Sequence, residues 1–552
     1  MTAPVPARTP EIVPDVFFLE MTNHCNMHCT FCPSDYIKKD RALADDELAI
    51  RYIEQVRDLN LNRPIQFSVL GEPLLNKKIF NYIDLCEQYG IEVYLITNIS
   101  LLDEERSRKI FAHDNIALVM SLQTPNKDSY DRLRGYDKLD FEEYFARILP
   151  ALREKFASGS ESRVEIHVTS TTNMRADSTL QSDFELDMWD PFKIEDKGEF
   201  VRQLLDRFDG YAEQLRTEYP DAFATELARS EDKYGPQLER GHLAGRRADV
   251  PPNAEDLTED RFWGYMFAPN CFIRFKSFGM WTKEESFMKT FLPKESLVYV
   301  EERQEPMDCA MAHNVSMLAD GQLSLCCLDY EGEMELPNLR DSSLKELLEH
   351  PKRMEIAKNA MQTEVCRRCQ GNLYVFDTRP SAVVETPVSK FGQGWYPYEA
   401  ELNGTGGRWS SGHATCYHFA RGDVQELGLK FFSVLDSGST FKVSATPYDD
   451  IGKSFGAPTT HTFHGVQNSV TEVNVPLQLE AGKLYRLDFE SPTWTPAAMH
   501  GSADTRELGF ALLEAKARSV SADAGDAPPA AEPVAEKPPR RFRQWFAKFT
   551  SN

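Results

Sequence analysis

Between residues 16 and 169, short apolar runs alternate with longer segments of helical periodicity. VFFLE (16–20), IQFSV (65–69), EVYLI (92–96), IALVMS (116–121) and VEIHVT (164–169) read as buried strands. DDELAIRYIEQVRDL (45–59) places Leu48, Tyr52, Val56 and Leu59 on one helical face. KIFNYIDLCEQYG (78–90) reads as a second helix that stops at Gly90. Strands alternating with helices at this spacing predict parallel βαβ units. With CFIRFK (271–276) as one more strand, about six are expected, an α/β fold that forms a partial barrel and not a closed eightfold one.

Elsewhere the rhythm changes. Residues 171–265 interrupt it with an amphipathic helix, EFVRQLLDRFDGYAEQL (199–215), inside polar text. That stretch reads as a mostly helical insertion, either a lid or a solvated decoration. Residues 305–375 carry clustered cysteines. From 388 to 518, LKFFSVL (429–435), FKVSATP (441–447), TEVNVPL (471–477) and KLYRLDF (483–489) alternate between Gly, Pro, Asn and Asp, which predicts an all-β sandwich. Residues 519–539 have a linker composition, rich in Ala, Pro and Glu. PRRFRQWFAKF (539–549) sets Phe542, Trp545, Phe546 and Phe549 beside four basic residues, and reads either as a weak membrane or partner contact or as disorder. The expected domains are a flexible 1–14, a barrel over 15–300 that includes the 171–265 insertion, a cysteine-bearing unit over 301–387, a sandwich over 388–518 and a tail over 519–552.

A chain of 552 residues exceeds one ordinary domain, and 41% apolar residues are enough to build several cores. The net charge of −24 argues against a broad nucleic-acid surface. MTAPVPARTPEIVP contains no apolar run of a signal peptide, and no stretch reaches the roughly 18 apolar residues of a membrane span. A cytoplasmic location is therefore expected. Eleven cysteines, most of them clustered, suggest metal ligands more than disulfides. Cys86, Cys271 and Cys416 stand alone and read as small buried hydrophobes.

Cys25-Asn-Met-His-Cys29-Thr-Phe-Cys32 brings three thiols together on a loop after a strand. Zinc and iron–sulfur clusters both accept thiolates. Structural zinc wants four ligands, and His28 would strain the loop as the fourth. A 4Fe–4S cluster with three protein thiolates leaves one iron open to a chelating small molecule. The C-x3-C-x2-C arrangement, with Phe31 before its last cysteine, resembles the signature of the radical S-adenosylmethionine (SAM) superfamily. LGEPLL (70–75) resembles that family's Gly-Glu-Pro segment, with Gly71, Glu72 and Pro73 matching and Leu70 replacing a common glycine. ITN (96–98) is similar to its Thr-Asn segment, through Thr97 and Asn98. SLQTPNKDSYDRLRG (121–135) is similar to its fourth-strand segment, through Ser121 and Arg134. The resemblance implies that Cys25, Cys29 and Cys32 hold the cluster and that Phe31, Gly71, Glu72, Pro73, Thr97, Asn98, Ser121 and Arg134 contact SAM. It also implies one-electron cleavage of SAM to methionine and a 5′-deoxyadenosyl radical that takes hydrogen from a substrate. An electron donor such as flavodoxin or ferredoxin would supply the electron.

Cys309, Gly321, Cys326, Cys366 and Cys369 have the spacing C-x11-G-x4-C…C-x2-C. This resembles the twitch domain, the shortened form of the SPASM domain, and implies one auxiliary cluster, a 4Fe–4S centre held by Cys309, Cys326, Cys366 and Cys369. A four-cysteine zinc ribbon is the alternative. Cys327 would point away from Cys326 in a strand. The sandwich is similar to domains attached to bacterial glycan-biosynthesis proteins, and Trp395, Trp409 and Trp494 read either as sugar-stacking platforms or as core. The resulting expectation is a radical SAM dehydrogenase or epimerase acting on a sugar or glycan precursor, with a glycan or glycan-synthesis partner at the sandwich. The alternatives are a ribosomal-peptide maturase and a zinc-stabilised carbohydrate-binding scaffold.

Overall fold

The computed structural model describes residues 12–124, 126–136, 138–172, 180–184, 197–252, 256–257, 262–278, 288, 292–381, 383, 385–449 and 454–519. Most of the expected 1–14 segment, nearly all of the 519–552 linker and tail, and parts of the 171–265 insertion lie outside these residues. The chain divides between Thr378 and Arg379 into two compact units. This division precedes the change of texture expected at residue 388. Arg379 and Ser381 explain the difference, since both bond to Arg421 in the sandwich.

The first unit is built on a ten-stranded sheet. Strands β1 (Phe17–Leu19), β2 (Ile65–Gln66), β3 (Val93–Thr97), β4 (Ile116–Gln123) and β5 (Arg163–Thr172) lie side by side and parallel. After β6 (Leu180–Ser182), β7 (Leu243–Ala244) and β8 (Gly264–Ala268), strand β9 (Cys271–Phe278) adds to β5, again parallel. These six parallel strands form the partial α/β barrel. Helices α1 (Asp46–Leu59), α2 (Ile79–Gln88), α3 (Glu104–Ile110), α4 (Lys127–Leu133), α5 (Phe141–Phe145) and α6 (Ile148–Ser158) connect them. Asp45 caps α1 by accepting from the Leu48 N–H, and Asn60 ends it in the left-handed conformation. Leu48, Tyr52, Ile53 and Val56 of α1 enter one core with Phe17, Leu19 and Ile65 of the strands and with Phe67 just after β2. Burying each such side chain contributes about 1.5–3 kcal/mol.

Helices α7 (Lys197–Glu218) and α8 (Pro220–Glu239) cross from β5 to β9. Val201, Leu204, Leu205, Phe208 and Leu215 enter the barrel core, Phe208 meets Phe145 and Phe267, and Phe223 stacks on Phe156. Among the described residues of the insertion, these are crossover helices packed on the barrel core. Their apolar stripe was legible, but its partner face on α5 and α6 was not.

β10 (Ser296–Glu301) pairs with β13 (Asn372–Asp377), which in turn pairs with β6. Between them, β11 (Val315–Met317) and β12 (Leu323–Ser324) form a hairpin that joins the main sheet. β11 runs parallel to β1, with Phe17 opposite Val315. The cysteine-bearing segment is therefore continuous with the barrel sheet.

The second unit is a two-sheet β-sandwich. Its strands are β14 (Glu385–Pro387), β15 (Lys390–Phe391), β16 (Arg408–Trp409), β17 (His413–Phe419), β18 (Val424–Ser433), β19 (Thr440–Asp449), β20 (Ser454–Phe455), β21 (Thr459–His464), β22 (Ser469–Leu479), β23 (Leu484–Glu490) and β24 (Ala511–Ser519). One sheet runs β14-β24-β18-β22 and the other β15-β17-β23-β19-β20, with β16 and β21 added at their sides. Phe431, Phe441, Phe463, Phe489 and Phe510 fill the space between them.

Candidate functional site

The cysteine loop leaves the C-terminal end of β1 and closes on a short turn at Pro33–Tyr36. All three cysteines are half-buried and free of disulfides. The Cys32 N–H donates to the Cys29 carbonyl at 3.0 Å, which folds the last two cysteines back on each other. The His28 ring pairs with Asp35 at 3.0 Å on the exposed side, away from a ligand role. Burial pushes the Cys25 thiol up to about 11 and raises Cys29 and Cys32 too. A cationic iron centre would reverse that penalty, because it binds the thiolate form. Asn98 Nδ2 lies 3.5 Å from Cys25 Sγ, and buried Arg134 Nε has no hydrogen-bond acceptor among the described residues. Three thiols, an amide donor and a buried guanidinium suit an anionic thiolate cluster and a carboxylate-bearing ligand.

The residues expected to contact SAM gather at the same ends of adjacent parallel strands, where α/β folds place ligands. Gly71 has φ +75°, and a Cβ there would lie 2.3 Å from the Thr22 carbonyl oxygen. Only glycine allows the β2 loop to approach the cysteine loop this closely. Glu72 is buried. Its carboxylate accepts from the Thr97 hydroxyl at 2.8 Å, the Asn98 N–H at 2.7 Å and the Leu74 N–H at 3.1 Å. Burial pushes its carboxyl up to about 7. Glu72, Pro73 and Thr97 are thus spent largely on shaping the loop. Asn98 also donates to Asn26 Oδ1 at 3.0 Å, within the cysteine loop. The Arg134 guanidinium faces the Phe31 ring at 5.9 Å and donates to the Tyr144 hydroxyl at 3.2 Å, which donates to the Ser121 carbonyl at 3.2 Å.

Several supporting residues were not singled out from sequence. Gly135, at φ +55°, accepts from the His28 N–H at 3.3 Å, and a Cβ there would meet the His28 oxygen at 2.3 Å. Glu20 is buried at the end of β1 and accepts from the N–H groups of Leu70 at 3.2 Å and Ala319 at 2.9 Å. Ile99, a β-branched residue, sits at φ +74° immediately after Asn98. Such strain costs about 1–3 kcal/mol and clusters at functional sites.

In the second cysteine set, Cys326 and Cys366 are buried at the main core, with Cys309 packed against it. Burial is the main cause that raises Cys366, to about 11, and the charges of Cys369 and Cys309 add to it. Cys326 is raised by burial and by Cys327 and Cys366. The fold therefore brings Cys309, Cys326 and Cys369 each within electrostatic reach of Cys366. Thr363 caps the short helix Glu364–Cys369, its hydroxyl accepting from the Cys366 N–H at 3.1 Å. Cys327 packs with Phe18, Val69 and Leu318, in a different cluster from Cys326. Among the described residues no three Cys, His, Asp or Glu side chains gather for a single metal ion.

In the sandwich, Trp395 meets Phe391, Phe489 and Phe510 edge-on, and its indole donates to the Thr415 carbonyl at 2.7 Å. Trp409 is buried against Phe432 and Trp494. Both belong to packing. Trp494 packs on Trp409, donates from its indole to the Gly509 carbonyl at 3.2 Å, and also lines a shallow cavity of about 450 Å³ with Thr493, Thr495, Ala498, Met499 and Glu507.

Comparison with known proteins agrees with this geometry. Residues 19–169 match the model of the Radical SAM superfamily, and residues 309–370 match that of SPASM, an iron-sulfur cluster-binding domain. An AdoMet-dependent heme synthase of Methanosarcina barkeri is 30% identical over 124 residues, 22% of this chain and 35% of that protein. An S-adenosyl-L-methionine-dependent 2-deoxy-scyllo-inosamine dehydrogenase of Niallia circulans is 27% identical over 127 residues, 22% of this chain and 51% of that protein. The matches thus span about a third to a half of these relatives. The crystal structure of BtrN in complex with AdoMet and 2-DOIA covers 65% of this chain and 93% of its own, at 12% identity and a TM-score of 0.30.

Proposed function

Because this chain carries a radical SAM domain and a SPASM-type iron–sulfur domain, we propose that it oxidises an alcohol carbon of a polyhydroxylated substrate, a sugar, cyclitol or glycan precursor. The two domains imply a 4Fe–4S cluster with SAM and an auxiliary iron–sulfur centre. When bound, these groups supply hydrogen-atom abstraction and an electron acceptor. Cys25, Cys29 and Cys32 would hold the first and Cys309, Cys326, Cys366 and Cys369 the second. Asn98 and Arg134 would orient the SAM-bearing loop, and the Gly71–Pro73 segment would offer its main chain to SAM.

One observation carries the oxidative reading. β1 leads into the first cysteine loop, and β11, between Cys309 and Cys326, pairs directly with β1. Cys25, Cys29 and Cys32 follow β1, and Cys309 and Cys326 flank the hairpin that begins with its neighbour β11, an arrangement suited to passing an electron from substrate to a second centre. The partial relative named as a dehydrogenase supports the same class. Reduction by a flavodoxin or ferredoxin, a cytoplasmic setting and a glycan-related role for the sandwich complete the reading. No helix among the described residues is long and apolar enough to cross a membrane.

The test is anaerobic purification with iron and sulfide analysis, then incubation with SAM, dithionite and 2-deoxy-scyllo-inosamine deuterated at its carbinol carbons. About eight irons per chain, deuterium in 5′-deoxyadenosine and a ketone product support the proposal. An inverted alcohol in place of ketone would assign epimerisation. About one or two zincs without SAM cleavage would establish the scaffold instead.

A further inference from the structure

The oxidative reading requires a proton acceptor, and the inner face of the barrel offers one. Val164, Ile166 and Val168 of β5 enter the core beneath the helices. By strand alternation, Glu165, His167 and Thr169 project from the opposite face. β9 behaves likewise: Cys271, Ile273 and Phe275 enter the core, and Phe272, Arg274 and Lys276 alternate with them. In register, His167 lies opposite Ser121 of β4 on one side and Arg274 of β9 on the other. It therefore stands one strand from the Ser121 position assigned to SAM. Just beyond, β4 bulges between Ser121 and Gln123, with Gln123 at φ +51° and accepting from Thr169 Oγ1 at 2.7 Å. Bulges re-aim side chains beside active sites.

The imidazole is held in one tautomer. His167 Nε2 lies 2.9 Å from Glu165 Oε2. Arg274 Nη1 donates to the same oxygen at 3.1 Å, and Arg163 Nε lies 3.0 Å from Oε1. Burial opposes ionisation of Glu165, but the His167 hydrogen bond and the two guanidinium charges prevail and hold its carboxyl at about 2. An ionised carboxylate only accepts, so the ring proton sits on Nε2 and the Nδ1 lone pair is left for chemistry. Burial lowers the His167 pKa below its ordinary 6.5, Lys276 and Arg274 push the same way, and Glu165 opposes them. The facing groups on β4, Ser121 and Gln123, carry no charge. At neutral pH the ring is an uncharged base.

We propose that His167 Nδ1 accepts the hydroxyl proton of the substrate as its alcohol carbon is oxidised, with Glu165 as the positioning residue that fixes the ring. This rests on the oxidative reading above. A secondary alcohol becoming a ketone loses one hydrogen atom from carbon, one proton from oxygen and one electron. The hydrogen atom goes to the 5′-deoxyadenosyl fragment, the proton to His167 Nδ1 and the electron to an iron–sulfur centre, which balances the step.

The experiment compares the reconstituted full chain with His167→Gln, using the deuterated 2-deoxy-scyllo-inosamine probe. Ketone formation should fall about 100-fold in the variant. Deuterium transfer to 5′-deoxyadenosine should stay within about 3-fold of wild type, since it precedes proton loss. Wild-type ketone formation should also fall away on an acid limb below pH 6.5, as His167 protonates, and His167→Gln should lack that limb. Transfer with undiminished ketone in H167Q would overturn the base and leave the oxidative reading standing. No transfer in wild type would overturn the alcohol reading, and the base with it. Should H167Q fail to fold, nuclear magnetic resonance of wild-type chain carrying isotope-labelled histidine decides. A neutral ring protonated at Nε2 at pH 7 is expected, and a charged ring or an Nδ1–H tautomer would overturn the proposal.

Discussion

Asn98 Nδ2 reaches both Cys25 Sγ, at 3.5 Å, and Asn26 Oδ1, at 3.0 Å, so one amide at the end of β3 both polarises a candidate ligand and pins the loop that carries it. Groups behind a metal ligand commonly change affinity or activity 10–100-fold. Asn98→Ala should therefore slow reductive SAM cleavage by about 10-fold or more, while iron remains bound. The checks are 5′-deoxyadenosine formation and iron content. Wild-type cleavage would remove Asn98 from the site.

Gly135 predicts a stronger effect. An alanine Cβ there would stand 2.3 Å from the His28 carbonyl oxygen, at a φ of +55° that side chains disfavour. Gly135→Ala should displace the cysteine loop and lower bound iron by about four atoms per chain. The sandwich should melt unchanged, because its core lies in the other unit. Full iron content would show that the loop tolerates the shift.

Glu20 makes stability depend on pH. Burial raises its carboxyl to about 7, against an ordinary 4.5. The folded chain holds this proton more tightly than the unfolded one, so the contribution is complete below pH 4.5 and is lost as pH rises through about 7. On the order of 2–3 kcal/mol is at stake. Glu20→Gln should flatten the decline in melting temperature of the first unit between pH 5 and 7.5. Parallel curves for the two proteins would contradict it.

Cys366→Ala with Cys369→Ala should remove about one cluster of iron and leave SAM cleavage measurable, because the first cysteine loop sits on other strands. Iron analysis and a 5′-deoxyadenosine assay decide, and unchanged iron would exclude this ligand set.

The two tryptophan environments separate by stability. Trp395→Ala should destabilise the sandwich by about 3–5 kcal/mol, since it removes an indole packed against three phenylalanines. Trp494→Ala, at the cavity rim, should cost less than about 2 kcal/mol. Denaturant unfolding of the full chain measures both, and equal losses would place Trp494 in the core as well.

The six parallel strands and the sandwich were legible in the sequence because continuous apolar runs and period-2 alternation report burial directly. Clustered cysteines were legible because their spacing is local. What was hidden depends on contacts distant in sequence. IQFSV contributes only Ile65–Gln66 to a strand, its remainder turning toward Gly71. Glu20 looked like the polar end of a strand, and its partners, Leu70 and Ala319, could not be read from spacing. His167 sat inside VEIHVT as one polar residue in a strand. Its meaning came from Glu165 beside it and from the registers with Ser121 and Arg274. Trp395 and Trp409 could not be told from surface platforms until the opposite sheet was in place.

The pairing of Phe17 with Val315 also sets an order of events during synthesis. β1 emerges early from the ribosome, yet its outer neighbour follows almost three hundred residues later, as the Val16–Asn314 bond at a separation of 298 also records. Until then one side of the nascent sheet presents unpaired backbone groups, the condition under which chains pair with each other. Fragments that stop before residue 315 should be sticky for this reason alone, and iron supply before the hairpin closes would meet an unfinished scaffold. Maturation of this protein is thus timed by its topology: the last hairpin to join the barrel sheet is the one that Cys309 and Cys326 flank.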